Sequence, residues 1–461
     1  GQEYLIGDIV NEKLIQSSVK ANAPDERKRY FLLWQPSFLL EEDEDEEVAV
    51  PEEITEKGKT WKICVRCSSV GEYGDEPKCT CSDKKGGTRL LIEITPKDSI
   101  LNKCYLCGLR SINIVREFLF QQDAPAAVLA TILFQKLEKE KQREKKILVF
   151  SDSRQDAAFF APYLAYTYER ILFRRLIIEA LRRNKSIGDY RLESLSRDML
   201  EIAEENSLMD LTKDEKQKKR EIWGLILQDF CALGWERRNC LEGVGLLSFS
   251  LIMPKDWKPI EELLQPPWNL SDEKSKALYQ ILFNSLRMNR AITFPKDAPS
   301  PKDEIFAPRQ KEYKFRGEKS DSKNGIYSFI PVQGRSNSRL EFLHKVYEGI
   351  SGKKDNKGEC RKLLSKIWDD IGGHLVNKGI CQFSDSRSGV VYQIDYKYWQ
   401  IIQEDSDGSW FICDKCGLIS PISIHEVCPT FGCDGTLEPV KSSSKYLDVK
   451  NNHYRSLYNS L

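Results

Sequence analysis

Ten of the fourteen cysteines of this chain stand in five close pairs: Cys64/Cys67, Cys79/Cys81, Cys104/Cys107, Cys413/Cys416 and Cys428/Cys433. Paired thiolates at this spacing are metal-ligand chemistry. A Cys-x-x-Cys turn puts two sulfurs on one side of a hairpin knuckle, and two knuckles complete a tetrahedron with metal–sulfur distances of about 2.3 Å. Four closed sulfur ligands leave no coordination position for substrate, so such a metal acts by holding the fold. Its binding contributes on the order of 10 kcal/mol to local folding. A disulfide scaffold is short, secreted and evenly studded, whereas here the cysteines cluster within a long chain rich in Lys and Glu, which favours metal.

The second group reads as a zinc ribbon. Cys413-Asp-Lys-Cys416 and Cys428-Pro-Thr-Phe-Gly-Cys433 are separated by eleven residues, with Gly417 and Gly432 relieving the backbone at the knuckles. His425 is a possible substitute ligand. The first group is ambiguous because it holds six cysteines. Cys64/Cys67 with Cys104/Cys107 is the natural pair of knuckles and leaves Cys79/Cys81 free. One metal bound by Cys79/Cys81 with one outer pair, or a cluster shared by all six, including iron–sulfur, are the alternatives. Cys231, Cys240, Cys360 and Cys381 are isolated and read as small core residues. The four histidines, His344, His374, His425 and His453, are too scattered to build a catalytic dyad.

A second chemical signature lies between the two groups. Ile147 to Phe150 is a continuous apolar run, as in a parallel strand buried on both faces. It ends in Ser151-Asp152-Ser153-Arg154-Gln155, from which a helix opens. Open α/β sheets present ligand-binding groups at such strand ends, and the helix amides with Arg154 would hold an anion. Farther on, Gly334-Arg335-Ser336-Asn337-Ser338-Arg339 precedes another helix and offers Arg335 and Arg339 to a phosphate. Arg170, Arg174, Arg175, Arg182, Arg183 and Lys185 make a third basic group on one helix.

From Phe150 to Ala161 the sequence resembles motif IV of large superfamily 2 DEAD/DEAH-box helicases that carry cysteine clusters, several of them in bacterial anti-phage defence systems. Ala124 to Ala130 resembles the helix before that motif. Leu241 to Leu246 and Asn451 to Tyr458 resemble later landmarks, so the likeness runs from about residue 60 to the end. It implies a nucleic-acid-binding role for Ser151, Asp152, Ser153, Arg154 and Gln155, in the second RecA-like domain. It also implies an ATP-dependent parent, nucleic acid as partner (DNA ahead of RNA), and neighbouring helicase domains or subunits. Gly58-Lys59-Thr60 is no Walker A loop, because Glu53 stands where the earlier glycine belongs and no strand leads in. Motifs V and VI would lie beyond residue 461, so this chain reads as the middle of such an enzyme, unable to hydrolyse ATP alone. That it begins with Gly fits a fragment. A non-enzymatic, zinc-dependent nucleic-acid- or protein-binding subunit is the competing expectation.

These elements require an α/β fold with a mostly helical insertion: a partial RecA-like domain with two small zinc-binding modules. The expected units are 1–60, the end of a first RecA-like domain; 61–112, the six-cysteine module; and 113–185, the start of the second RecA-like domain. After them come 186–295, a helical, winged-helix-like insertion; 296–338, a linker rich in Pro, Lys, Ser, Asp and Gly; 339–402, helices and a strand; 403–440, the ribbon; and 441–461, a return to the RecA-like domain. Seventy Lys and Arg balance seventy Asp and Glu, so any nucleic-acid surface is local. The acidic run Glu41 to Glu47 reads as a solvated loop. No apolar stretch approaches the ~20 residues that span a bilayer and no signal peptide is visible, so the chain is expected to be cytoplasmic.

Overall fold

The computed structural model describes residues 4–16, 29–34, 48–49, 59–64, 66–72, 75, 77–79, 81, 88–94, 170–184, 190–206, 208, 213–232, 237, 239–306, 309–352, 357–386, 389–403, 410–440 and 453–459. The strand and turn at 146–161, the helix before them, Cys104 and Cys107 lie outside these residues.

Six strands form one antiparallel sheet near the amino terminus: β1 (Tyr4–Val10), β2 (Lys13–Gln16), β3 (Tyr30–Trp34), β4 (Thr60–Cys64), β5 (Val70–Glu72) and β6 (Thr88–Ile94), in the spatial order β2-β1-β3-β6-β4-β5. Alternation puts Leu14, Phe31, Trp61, Ile63, Val70 and Leu91 into one small core. The expected boundary at residue 60 therefore falls inside a sheet. Strands from both sides of it share the same hydrogen-bond ladder, because neither segment has enough apolar residues for a core of its own. Lys59 forms an ion pair with Glu72 and lies over the Trp61 ring.

The rest of the described chain shares a second, much larger core, reaching from Ile171 to Tyr458. Its helices are α1 (170–183), α2 (Leu192–Glu205), α3 (Glu215–Phe230), α4 (Asp272–Met288), α5 (Ser338–Ser351), α6 (Lys357–Asp370) and α7 (His453–Asn459). Local caps fix several starts. The side chains of Asp214, Ser271 and Asn337 accept the amides of Gln217, Lys274 and Leu340, respectively. With the cap at Asp214, the charged residues Lys216 to Arg220 form the opening turns of α3.

Three expectations are corrected by long-range pairing. The strand at Leu247–Leu251 (β7) has no local partner, as a winged helix would need; it pairs antiparallel with Trp399–Gln403. Residues 296–338 are no linker. Lys314–Arg316 and Ile326–Ser328 are parallel strands of a four-stranded sheet, and Phe306, Tyr313, Phe315, Tyr327, Phe329 and Ile330 enter the main core. The strand expected over Tyr392 to Ile402 is two strands, Gly389–Ile394 and Trp399–Gln403, broken at Tyr396–Tyr398. The apolar aromatics of these stretches dominate their polar, Gly- and Pro-rich surroundings.

One buried cation ties these pieces together. Arg287 of α4 is 1% exposed. It donates to Glu242 Oε2 at 2.5 Å, to the Phe230 carbonyl and to Asn284 Oδ1. Its guanidinium also lies 5.0 Å from the Phe230 and Phe249 rings and 5.3 Å from Trp399. Deleting one partner of such a pair leaves a desolvated charge. Glu242→Ala is thus expected to destabilise the protein by about 3–5 kcal/mol in urea unfolding. The apolar double variant Glu242→Leu/Arg287→Met is expected to recover most of that loss.

Candidate metal centres

Each cysteine cluster is built by strands that end where the sulfurs must meet. In the carboxy-terminal one, strand Phe411–Cys413 pairs with both Ile419–Ser420 and Leu437–Pro439. The turn after Cys413 closes through Gly417 N–H to the Cys413 carbonyl at 3.0 Å, and Gly417 sits at φ +70°, which a side chain would strain. The second knuckle closes through Cys433 N–H to the Thr430 carbonyl at 3.1 Å, with Gly432 at φ +66°. A Cβ at Gly435 would stand 2.4 Å from Cys413 Sγ, so this glycine is what lets the loop approach the sulfur.

The result is a four-sulfur cluster in which Cys413, Cys416, Cys428 and Cys433 all lie within 4.8 Å of one another. Cys413 Sγ and Cys433 Sγ are 3.6 Å apart, as are Cys416 Sγ and Cys428 Sγ. That matches the edge of about 3.8 Å of a tetrahedron with metal–sulfur bonds of about 2.3 Å. Amides of Cys416 and Gly435 point at Cys413 Sγ and Cys433 Sγ at 3.5 and 3.4 Å. His425, weighed as a substitute ligand, is not among the four.

The sulfurs also divide their protons unequally. Cys416 is pulled far below the ordinary thiol range by hydrogen bonds from Cys413, Cys428 and Cys433. Cys413, opposed by Cys416 but favoured by Cys428 and Cys433, falls to about 6. Cys428 and Cys433 are pushed up, Cys413 first among the causes in each case. Two thiolates are thus stabilised by two thiols, and ionising all four calls for a bound cation.

The cluster is anchored to the main body by α5. Glu341 Oε1 accepts the Gly432 amide at 2.7 Å, and Lys345 Nζ donates to the Cys433 carbonyl at 2.7 Å. Glu341 and Lys345 also pair with each other.

At the amino-terminal site the β4–β5 hairpin supplies Cys64 and Cys67. Cys64 N–H donates to the Ser69 carbonyl at 2.8 Å and Ser68 N–H to the Cys64 carbonyl at 2.9 Å. The β1–β2 hairpin clamps this knuckle, through Leu14 N–H to the Ser68 carbonyl and Val70 N–H to the Glu12 carbonyl, each 2.8 Å. Cys64 and Cys67 are joined by Cys79 and Cys81, the four sulfurs within 4.8 Å. Cys79 and Cys81 lie between β5 and β6 of the same sheet, while Cys104 and Cys107 lie outside the described residues. Cys67 is lowered to about 6, first by the Ser69 hydroxyl, and Cys81 is raised to about 12, first by Cys67. Both clusters are therefore able to hold a metal ion.

Of the residues expected to touch nucleic acid, Arg335 and Arg339 are among the described residues. Ser151 to Gln155 lie outside the described residues. Arg335 is exposed, in a two-residue strand paired with Val48–Ala49. Arg339 is turned inward, 1% exposed, donating to the Phe329 and Ser328 carbonyls at 3.1 and 2.6 Å and to Ser285 Oγ at 2.8 Å. It braces the fold and offers no surface to a phosphate. Of the basic group on α1, Arg174 and Arg175 are turned inward and Arg183 stays at the surface. Arg174 binds Asp229 at 2.7 Å and Tyr458 Oη at 2.9 Å; Arg175 holds the Leu457 carbonyl; Arg183 pairs with Glu179 and Glu205.

Those contacts assemble a junction that residue spacing did not reveal. Tyr458 Oη donates to the Asn239 carbonyl, Arg455 to the Val244 and Gly245 carbonyls, and Leu241 N–H to Asp229 Oδ2. The stretches 241–246 and 453–458 thus meet beside α1. Their shared likeness to helicase landmarks was the one signal that could have linked them. Comparisons with known protein families, with curated proteins and with solved structures give no match.

Elemental analysis is expected to find two metal ions per chain. Cys428→Ser is expected to leave one, as is Cys79→Ser with Cys81→Ser, whereas Cys104→Ser is expected to leave both. Ligands with lowered folded values are competent above them and are lost as pH falls. Release to a chromophoric chelator is therefore expected to rise as pH falls, because the thiolate ligands must be protonated to let the metal go.

Proposed function

We propose that this chain is the central, nucleic-acid-handling segment of an ATP-dependent superfamily 2 helicase or translocase. In this reading two structural zinc ions fold its small modules, DNA is the preferred partner, and ATP is bound and hydrolysed by domains outside the chain. The observation that carries it is the junction of α1 with the 241–246 and 453–458 segments. Three stretches remote in sequence, each within or beside the residues that resemble such helicases, converge on Arg174, Asp229 and Tyr458. The four-sulfur centres support the zinc assignment, since all-thiolate tetrahedra suit that ion and leave no open position for catalysis. The competing reading, a non-enzymatic zinc-dependent nucleic-acid- or protein-binding subunit, draws equally on the four-sulfur centres.

The purified chain is expected to bind single-stranded or duplex DNA in fluorescence anisotropy. Its affinity is expected to fall about tenfold or more between 50 and 200 mM salt, as two or more phosphate contacts require. It is expected to show no ATP turnover. Binding that is absent at low salt, or indifferent to salt, counts against both readings; turnover by this chain alone counts against a truncated helicase.

A further inference from the structure

Helix α4 ends in an unusual way. Ala291 N–H reaches back to the Leu286 carbonyl at 3.0 Å and Arg290 N–H to the Arg287 carbonyl at 2.9 Å. This closure places the residue after the cap in the left-handed region, where glycine or asparagine is preferred. The chain has Arg290 there, at φ +59°. That position is strained for a side chain, and the side chain it carries is a charge only 8% exposed.

Among the described residues no anionic group balances this charge. Arg290 Nη2 has one long contact, 3.4 Å to the Phe306 carbonyl, and Nη1 is buried with no hydrogen-bond partner. Among the described residues no carboxylate forms an ion pair with it, although buried charges are otherwise paired in folded proteins. Its flat faces are lined by aromatic rings, Phe306 at 5.3 Å and Tyr313 at 5.7 Å. A second guanidinium, Arg309, lies 4.8 Å from the same Tyr313 ring and donates to Tyr327 Oη at 2.8 Å and Asn289 Oδ1 at 3.1 Å. Burial, then the neighbouring Arg309, draw the Arg290 guanidinium below its ordinary value. Cys231, which acts on Arg290 from nearby, is itself pushed up to about 12 by burial and stays a neutral thiol.

We infer that Arg290 is the floor of an oxyanion-binding site of phosphate class, in which Nη1 donates to an oxygen of the ligand and Arg309, partly exposed, lines the approach. A guanidinium fork matches phosphate oxygens, and a second guanidinium against the same ring favours an anion carrying more than one charge. The site does not rest on the nucleic-acid reading: free phosphate and a phosphate of a strand present the same chemistry.

The test is calorimetric titration of the whole chain with inorganic phosphate at constant ionic strength. The expected result is saturable uptake of one phosphate per chain, with affinity at least tenfold weaker in Arg290→Met. No uptake by the natural chain, or equal affinity in Arg290→Met, overturns the site. Should Arg290→Met fail to fold, Arg290→Lys keeps the charge and loses the fork, and unchanged phosphate affinity in that variant is the overturning result. Competition then separates the sources. Displacement of phosphate by a 5′-phosphorylated oligonucleotide, and not by its 5′-hydroxyl counterpart, places a strand end in the site. No displacement by either assigns the site to free phosphate. DNA binding that persists without phosphate uptake removes this site alone.

Discussion

The main body depends on a cation with no access to water. Arg287 is surrounded by the Phe230, Phe249 and Trp399 rings, and its donors reach the end of α3, the loop at Glu242 and its own helix. Those partners come from segments more than one hundred residues apart. The strand pair Leu247–Leu251 with Trp399–Gln403 lies across the same spot, so sheet and helices are registered by one charged group. A guanidinium suits this role because its planar face is weakly hydrated and its edge carries five directional donors. An aliphatic residue could fill the space without specifying which loop must lie beside which helix.

The four-sulfur centres organise what the apolar core does not reach. The carboxy-terminal cluster has a core of Cys413, Cys428, Cys433 and Leu437, and the amino-terminal sheet packs a cluster of six buried residues, counted among the described residues. Cores of this size are too small to stand against chain entropy alone. A metal held by these sulfurs would supply the missing stabilisation, and the glycines at 417, 432 and 435 let the backbone come close enough for the sulfurs to meet.

The metal ligands were legible because their signal is local. Cys413, Cys416, Cys428 and Cys433 gather as their spacing indicates. The partner of Cys64/Cys67 was not fixed by spacing, since Cys-x-x-Cys and Cys-x-Cys knuckles both serve; sheet order brings Cys79 and Cys81 into reach. Helices α2, α4, α5 and α6 follow the apolar periodicity, with caps adjusting their ends. The failures are long-range. The partner of β7 lies about 150 residues away, and the inward turn of Arg174, Arg175 and Arg339 depends on Asp229, Leu457 and Ser328, none of them neighbours in sequence. Composition misled at 296–338, where a few aromatic side chains outweigh a polar, turn-rich setting.

The grip of α5 on the ribbon has a consequence for how the protein comes apart. Glu341 and Lys345 hold the ribbon only through the Gly432 amide and the Thr430 and Cys433 carbonyls, groups whose positions are set by the knuckle itself. If the knuckle opens, the two side chains remain paired with each other and lose nothing charged to solvent. Release of the ribbon would instead be resisted by Ile424, which stands between its two knuckles and is fully buried in the arginine-centred body.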